Sequence, residues 1–557
     1  MWMIIGANGY TLDPRANSFA AEVEGQSKSR DFEALVIHHG RVVAIGEAAD
    51  LRLQFGAKVS RIIDVQGATV IPGLIDSHLH VAALGEQAAE LDLSGTSSAR
   101  ELLLRVREFA NHVPDDGWIL GRGWDDNRFT AKGLPTLKEL DEASGTKPML
   151  LRRVCHHAYL ANSVAFLRAG LSLDAKDPAD GYYGRDEHGK LNGQVFENAS
   201  RPLLLAVPKK TTSDWKNAVR IGMETALKSG LTGVHTDDVR SLGSFEAVWH
   251  TYASLIHESG VRLRVHELVD FSRMDETIGF LKAMPKEVTR DAWISRGAVK
   301  LFSDGAMGSR TAWLSEPYSD LPGWLGTPIY ERDELFERVR IAHEQGLAAA
   351  VHAIGDAAVE LTLMAMAAAP SVNQRDRLIH AELIRPDLIS RMVDLGDSLA
   401  VDVQPRFTVS DFPWLADRVG EHRVKYACAW QKLKNAGVHI AGGSDAPIEP
   451  VSPLMGIHAA HTRRGPHSEG EGYGPEERLS ALDSVVLFTK GAAFAAGQED
   501  RFGTIAQGRE ADLTILSKDI VNPSCPDDIL ESEVLYTIVG GEIAYAFPGG
   551  FKEESTG

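Results

Sequence analysis

The chain is short of cysteine, of positive charge and of long apolar runs, and each shortage narrows what it can be. Only Cys155, Cys428 and Cys525 occur in 557 residues, an odd and scattered set. That argues against a disulfide framework or a thiolate cluster. Lysine and arginine number 58 against 77 aspartates and glutamates, a formal net charge of −19. This balance argues against nucleic acid or an anionic membrane as partner. No run of about 20 apolar residues occurs, so no membrane span is expected. The opening Met1-Trp-Met-Ile-Ile-Gly6 lacks a basic n-region and a long apolar h-region, which leaves the cytoplasm as the expected compartment. Gly442-Gly443 is followed by no Gly-Lys-Ser/Thr, which excludes a phosphate loop.

What is there describes a large globular protein. Apolar residues make up 44% and charged residues 24%, and the length exceeds one typical domain. Ala34 to Gly46 reads as a hairpin turning at His39-Gly40; Ala511 to Leu516 reads as a strand, and Val534 to Tyr545 as a hairpin turning at Gly540-Gly541. Neither terminal segment has enough apolar surface to stand alone, so the two are expected to join in one small β-sandwich. Glu24 to Asp31 is polar and expected to be a mobile loop.

The most telling string is His78-Leu79-His80, at the end of Val70-Ile-Pro-Gly-Leu-Ile-Asp-Ser-His-Leu-His80. Ile71 to Ile75 reads as a short buried strand punctuated by Pro72 and Gly73. In extended chain, residues two apart face the same way, so two neutral imidazoles can meet one divalent metal. Two surface histidines would look the same, and the downstream residues decide. Lys300 lies in Gly297-Ala-Val-Lys-Leu-Phe-Ser-Asp304; His352 and His380 end the apolar runs Leu347-Ala-Ala-Ala-Val-His and Leu378-Ile-His. Asp445 ends Val438-His-Ile-Ala-Gly-Gly-Ser-Asp. Each stands at or near a strand's C-terminal end, where a parallel α/β barrel collects its chemistry.

Spacing agrees with a barrel of about 31 residues per βα unit. His352 and His380 are 28 apart, and His380 and Asp445 are 65 apart. Strand ends are expected near Ser77, Thr236, Glu267, Phe302, His352, Ala381, Val403 and Ser444. Only the 159 residues from Ser77 to Thr236 are out of scale, which predicts an inserted subdomain after the first strand. The expected architecture is α/β: a (β/α)8 TIM barrel over 73–490 with an insertion at about 84–208, and a β-sandwich from 1–72 and 491–557. The insertion combines a helical stretch, Ala99 to His112, with Gly/Asp-rich loops. Its Trp118, Trp124, Phe129, Tyr159, Tyr182 and Tyr183 could wall an apolar pocket over the barrel mouth or knit the insertion's own core.

Further strings carry a family resemblance: Gly121-Arg-Gly-Trp-Asp125, His157-Ala-Tyr-Leu-Ala-Asn-Ser163, Ser309-Arg-Thr-Ala312, Val351-His-Ala-Ile-Gly-Asp356, Gln404-Pro-Arg-Phe407 and Gly442-Gly-Ser-Asp-Ala-Pro447. With His78 and His80 they make the chain resemble the amidohydrolase superfamily, in the branch containing N-substituted formamide deformylases and YtcJ-like hydrolases. The resemblance spans nearly the whole chain. It implies one metal on His78, His80 and Asp445 and a second on His352 and His380. Zinc suits neutral imidazoles and a carboxylate, with manganese or iron as alternatives. An ammonium cannot ligate, but the resemblance implies a carboxylated Lys300 bridging two ions. A lysine paired with Asp304, or a Schiff-base lysine, stays open from the residues alone.

The implied reaction is attack of a metal-bound hydroxide on the carbonyl of a small organic amide, such as an N-substituted formamide. Asp445 is the expected base and then acid. His157, preferred over its neighbour His156, and His235 are candidates to stabilise the oxyanion. Trp124, Arg310 and Arg463 are substrate-binding candidates, with surface solvation the alternative for Arg463. Ser444 has no evident base apart from Asp445. Ester, lactone or cyclic-amide hydrolysis on the same site is an alternative. A non-catalytic, metal-binding regulatory protein is another, and the intact ligand set argues against it. A homodimer is expected only by family resemblance.

Overall fold

Eight short runs become the parallel strands of one sheet: β1 (Leu74–Leu79), β2 (Leu231–Thr236), β3 (Arg264–Asp270), β4 (Ile294–Phe302), β5 (Ala349–Ala353), β6 (Asp376–His380), β7 (Leu399–Val403) and β8 (Ile440–Gly442). The computed structural model describes residues 1–13, 30–130, 133–154, 157–178, 180–285, 291–369, 374–549 and 553–555. Cys155, His156 and most of the polar stretch from Glu24 therefore lie outside the described residues. Each barrel strand pairs in parallel with the next, from β1 through β8. Helices such as Arg332–Glu344, Asp356–Ala368 and Pro386–Leu395 connect them. β1, β2, β3, β6 and β7 are buried along their whole length, as strands enclosed on both faces must be. The sheet is a (β/α)8 barrel.

β8 and β1 share no ladder, and closure is made just beyond the strands. Asp445 N–H donates to His78 C=O (2.7 Å), and His80 N–H to Ala446 C=O (2.8 Å). Ser444 N–H donates to the Asp76 carboxylate (3.0 Å). Gly443 makes this approach possible: a Cβ there would lie 2.6 Å from His78 N. The seam of the barrel thus brings Asp445 against the His-x-His pair.

The run Ile71 to Ile75 is not one strand. Thr69–Pro72 pairs antiparallel with Leu513–Leu516, and the chain enters β1 only at Leu74. Proline has no N–H for a ladder, and Gly73 passes so close to β2 that a Cβ would meet Thr232 Oγ1 at 2.2 Å. Two five-stranded sheets flank this crossing. One is ordered Glu553–Ser555, Arg61–Asp64, Trp2–Ile5, Ala34–His38, Arg41–Gly46; the other Asn8–Gly9, Thr69–Pro72, Leu513–Leu516, Val534–Val539, Glu542–Ala546. Both mix strands from the two ends of the chain. They share a core that includes Ile4, Phe32, Leu35, Val70, Leu513, Ile515 and Ile538.

Gly85–Ile221 forms a separate compact unit. It contains a six-stranded mixed sheet ordered Gly181–Arg185, Leu191–Glu197, Ala158–Ala161, Met149–Arg153, Ile119–Trp124, Leu91–Asp92. The sequence reading finds only a helix and loops here. Gly121, Gly123, Gly184 and Gly193 interrupt the strands and hide their alternation. The helix is present as Ala99–Ala110, with Ser98 accepting from Glu101 N–H (3.2 Å). Trp124, Phe129 and Tyr183 are buried in the unit's own core, whereas Tyr182 stacks on Phe196 at the surface. No helix among the described residues is long and apolar enough to cross a membrane.

Candidate metal centre

His78 is the second-last residue of β1 and His80 follows the strand; their ring centroids are 5.2 Å apart. Closure puts Asp445 between them, its Oδ1 3.5 Å from His78 Nε2 and 3.2 Å from His80 Nε2. The ligand atoms of His78, His80 and Asp445 all lie within 4.8 Å of one another. His380, ending β6, brings its ring to 5.8 Å from His78 and 4.5 Å from His352 of β5. Lys300 of β4 is buried, its Nζ 3.3 Å from His78 Nε2. All six candidate ligands therefore converge at the C-terminal ends of the barrel strands.

Hydrogen bonds decide which nitrogen of His352 and of His380 is free. His352 Nε2 is 3.0 Å from Gly305 C=O, which can only accept, so Nε2 carries the proton and Nδ1 the lone pair. His380 Nδ1 donates to Gln404 Oε1 (2.7 Å), which frees Nε2. His80 Nδ1 is held against the Asp237 carboxylate and its Nε2 lies 3.2 Å from Asp445 Oδ1; burial opposes a charge on this ring, but the two carboxylates outweigh it and raise His80 well above the usual imidazole range. Phe407 stacks on the His380 ring at 5.8 Å. Burial, reinforced by Lys300, pushes His78 well below the usual imidazole range. Burial and Lys300 bring His352 down to about 4, and burial with His352 and Lys300 depresses His380 well below its usual value. The neutral rings of His78, His352 and His380, joined by His80 once its Nε2 proton is released, are with the neighbouring carboxylate the donors a divalent metal requires. The donor set fits a metal.

Burial also lowers the Lys300 ammonium, against the pull of Asp237 and Asp445. Pairing of Lys300 with Asp304 is not what the structure shows. Asp304 accepts instead from the backbone N–H groups of Trp313, Ile354 and Gly355, and burial lifts it to about 7. Asp76 likewise accepts from His78 and Ser444 N–H, with burial raising it to about 7. These carboxylates tie the ligand-bearing loops together. His380 and Asp445 hold left-handed backbone, at φ 80° and 58°, a cost of roughly 1–3 kcal/mol each that the site sustains.

The other candidates are not among the six converging side chains. His235 is buried within the barrel, its ring 4.9 Å from His266, and it does not join the imidazole cluster. Burial and the nearby Arg377 hold it well below its usual pKa. His157 is exposed on the inserted unit, with Nδ1 3.0 Å from Glu197. Trp124 is buried and donates to Leu151 C=O (3.0 Å), so it packs rather than lines a wall. Arg310 pairs with Asp320 through two nitrogens. Arg463, with surface solvation as its alternative, is in fact 1% exposed; it donates to the carbonyls of Cys428 and Tyr473 and lies over Trp430 and Phe412. Asn162 of the His157 motif is also structural: it accepts from Met149 and Ala165 N–H.

Sequence reasoning missed Asp237, Asp76 and, as a functional side chain, Gln404. Gln404 lies in a quoted string, and Asp237 is two residues beyond His235. A carboxylate is a common partner for a ligating imidazole, but nothing local shows which ring Asp237 or Gln404 meets.

Comparison with known proteins agrees with the geometry. The amidohydrolase family model matches residues 61–545. The chain is 36% identical over 517 residues to a protein of Bacillus subtilis (strain 168) described as amidohydrolase YtcJ, covering 92% of this chain and 96% of that one. It is 27% identical over 559 residues to the N-substituted formamide deformylase of Arthrobacter pascens, covering 98% of each. The crystal structure of an uncharacterized metal-dependent hydrolase from Pyrococcus furiosus matches with a TM-score of 0.72 at 30% identity, covering 93% of this chain and 99% of that one. The chain belongs to the amidohydrolase family and is a metal-dependent hydrolase.

Proposed function

We propose that the protein hydrolyses a carbon–nitrogen bond in a small organic amide, with N-substituted formamides as the leading substrate class. The observation that carries the reading is Asp445, set by barrel closure beside the Nε2 atoms of both His78 and His80. His78, His80 and Asp445 would hold one ion, His352 and His380 a second; zinc suits this set, with manganese or iron as alternatives. When bound, the ions acidify water and polarise the substrate carbonyl.

Asp445 accepts the proton of the attacking water as its oxygen bonds to the carbonyl carbon. It then delivers that proton to the nitrogen as the carbon–nitrogen bond breaks, leaving a carboxylic acid and an amine. Amine departure needs that proton more than alkoxide departure does, and this favours amide over ester. The name of the Arthrobacter relative supports the formamide class. His157, with its exposed ring, is the proposed donor to the developing oxyanion. Lys300 is proposed to carry carbon dioxide: its amine, once the ammonium proton that burial disfavours has left, forms the nitrogen–carbon bond and loses a second proton, giving an anionic oxygen ligand where an ammonium cannot ligate.

The test is kcat/KM on N-substituted formamides, longer-chain amides, and esters and lactones of matched size, with metal content and native intact mass. The reading expects a preference for the amides, about two ions per chain and a mass increment of one carbon dioxide. Faster turnover of the matched esters would replace the substrate class. One ion without the increment would leave Lys300 as an amine and remove the second site.

A further inference from the structure

The converging imidazoles differ in what holds their far nitrogens. His352 and His380 are bonded to neutral oxygens, of Gly305 and Gln404. His80 has a carboxylate, that of Asp237, in direct contact with its Nδ1, whereas Asp304 Oδ1 stands 3.7 Å from His352 Nε2, beyond hydrogen-bond distance. Asp237 is 9% exposed, and the oxygen beside His80 takes no other hydrogen bond among the described residues. Register explains the meeting. Thr236, the last residue of β2, pairs with Leu79, the last residue of β1, so the next residues along are Asp237 and His80. Arg240, the neighbouring cation on the same loop, is engaged with Asp270 at 3.1 Å. The negative charge of Asp237 is thus committed to one ring. A carboxylate at Nδ1 both fixes an imidazole and makes its Nε2 a stronger donor than a neutral acceptor does. That Nε2 is the atom facing Asp445.

We propose that Asp237 is the positioning residue for His80, and that it makes the His78–His80–Asp445 centre the tighter of two unequal metal sites, filled before the His352–His380 centre. This rests on the two-metal reading above. The experiment is zinc titration of the full-length protein, stripped by chelator, against a chromophoric competing chelator. Wild type is expected to fill in two distinguishable steps. Asp237→Ala should weaken the tighter step about 10–100-fold and leave the weaker step in place. Asp237→Asn, which keeps an acceptor oxygen without the charge, should fall between them.

Thermal melting of the metal-free proteins separates lost affinity from lost folding, and Asp237→Asn carries the test if Asp237→Ala does not fold. Two equal steps in wild type would overturn the proposal while leaving two metals in place. So would Asp237→Ala with an unchanged first step, or with both steps weakened alike. A wild-type protein that binds only one zinc overturns the two-metal reading itself, and the asymmetry falls with it.

Discussion

The inserted unit and the barrel bury different chemistry. Among the described residues of Gly85–Ile221, the buried polar side chains are Thr96, Ser144, Asn162 and Ser200, all uncharged. Their needs are met locally: Asn162 bonds to Ser144 Oγ and to the Lys147 carbonyl, and Ser144 to the Leu140 carbonyl. The barrel encloses Asp76, Glu267, Lys300, Asp304, Arg377 and Asp402 besides its imidazoles. Burying a charge is costly unless it is paired or hydrogen-bonded. The barrel meets this with backbone N–H groups at Asp76 and Asp304 and with the Arg377–Asp402 pair at 2.8 Å. Apolar packing explains the insertion; the barrel interior carries buried charges that apolar packing alone does not call for.

That contrast can be broken by experiment. The largest effect is expected at Asp445. Asp445→Asn should cut kcat by about 10²–10⁴-fold while far-ultraviolet circular dichroism stays that of wild type; full turnover would remove Asp445 from the chemistry. Next comes the insertion's core. Trp124→Ala should cost its unit about 3–5 kcal/mol in denaturant unfolding without changing metal content, and loss of metal would link the two regions energetically. His157→Ala probes whether the insertion adds chemistry of its own. We expect kcat to fall about 10²-fold at unchanged melting temperature and metal content; an unaltered kcat would confine the chemistry to the barrel. The smallest effect should be at Gln404. Gln404→Ala should weaken one zinc step by about 10-fold, with Gln404→Glu restoring it; no change in zinc affinity would show that Phe407 stacking alone orients His380.

Much of the barrel was legible in advance because its signals are local. Apolar runs ending in histidine, lysine or aspartate recur at unit spacing, and the strands end within three residues of the expected positions, from Leu79 through Thr236, Asp270, Phe302, Ala353, His380 and Val403 to Gly442. The insertion's sheet was not legible, since its strands are interrupted by glycine and pair with partners that no period reveals. Arg463 was misjudged for a related reason. Its environment of Trp430, Phe412 and two carbonyls is assembled from residues at least ten positions away or more, and only its charge is visible locally.

Sequence alone determined the family, the barrel and the identity of the six candidate ligands. A parallel barrel delivers every strand's C-terminal residue to the same end, so order along the chain suffices. Only the tertiary structure decided which nitrogen of His352 and of His380 is free, and which carboxylate holds His80. Gln404 reaches His380 from the neighbouring strand, and Asp237 reaches His80 across the register of β1 and β2. Those partners are set by strand pairing and barrel closure between residues far apart in the chain, and no local pattern records them.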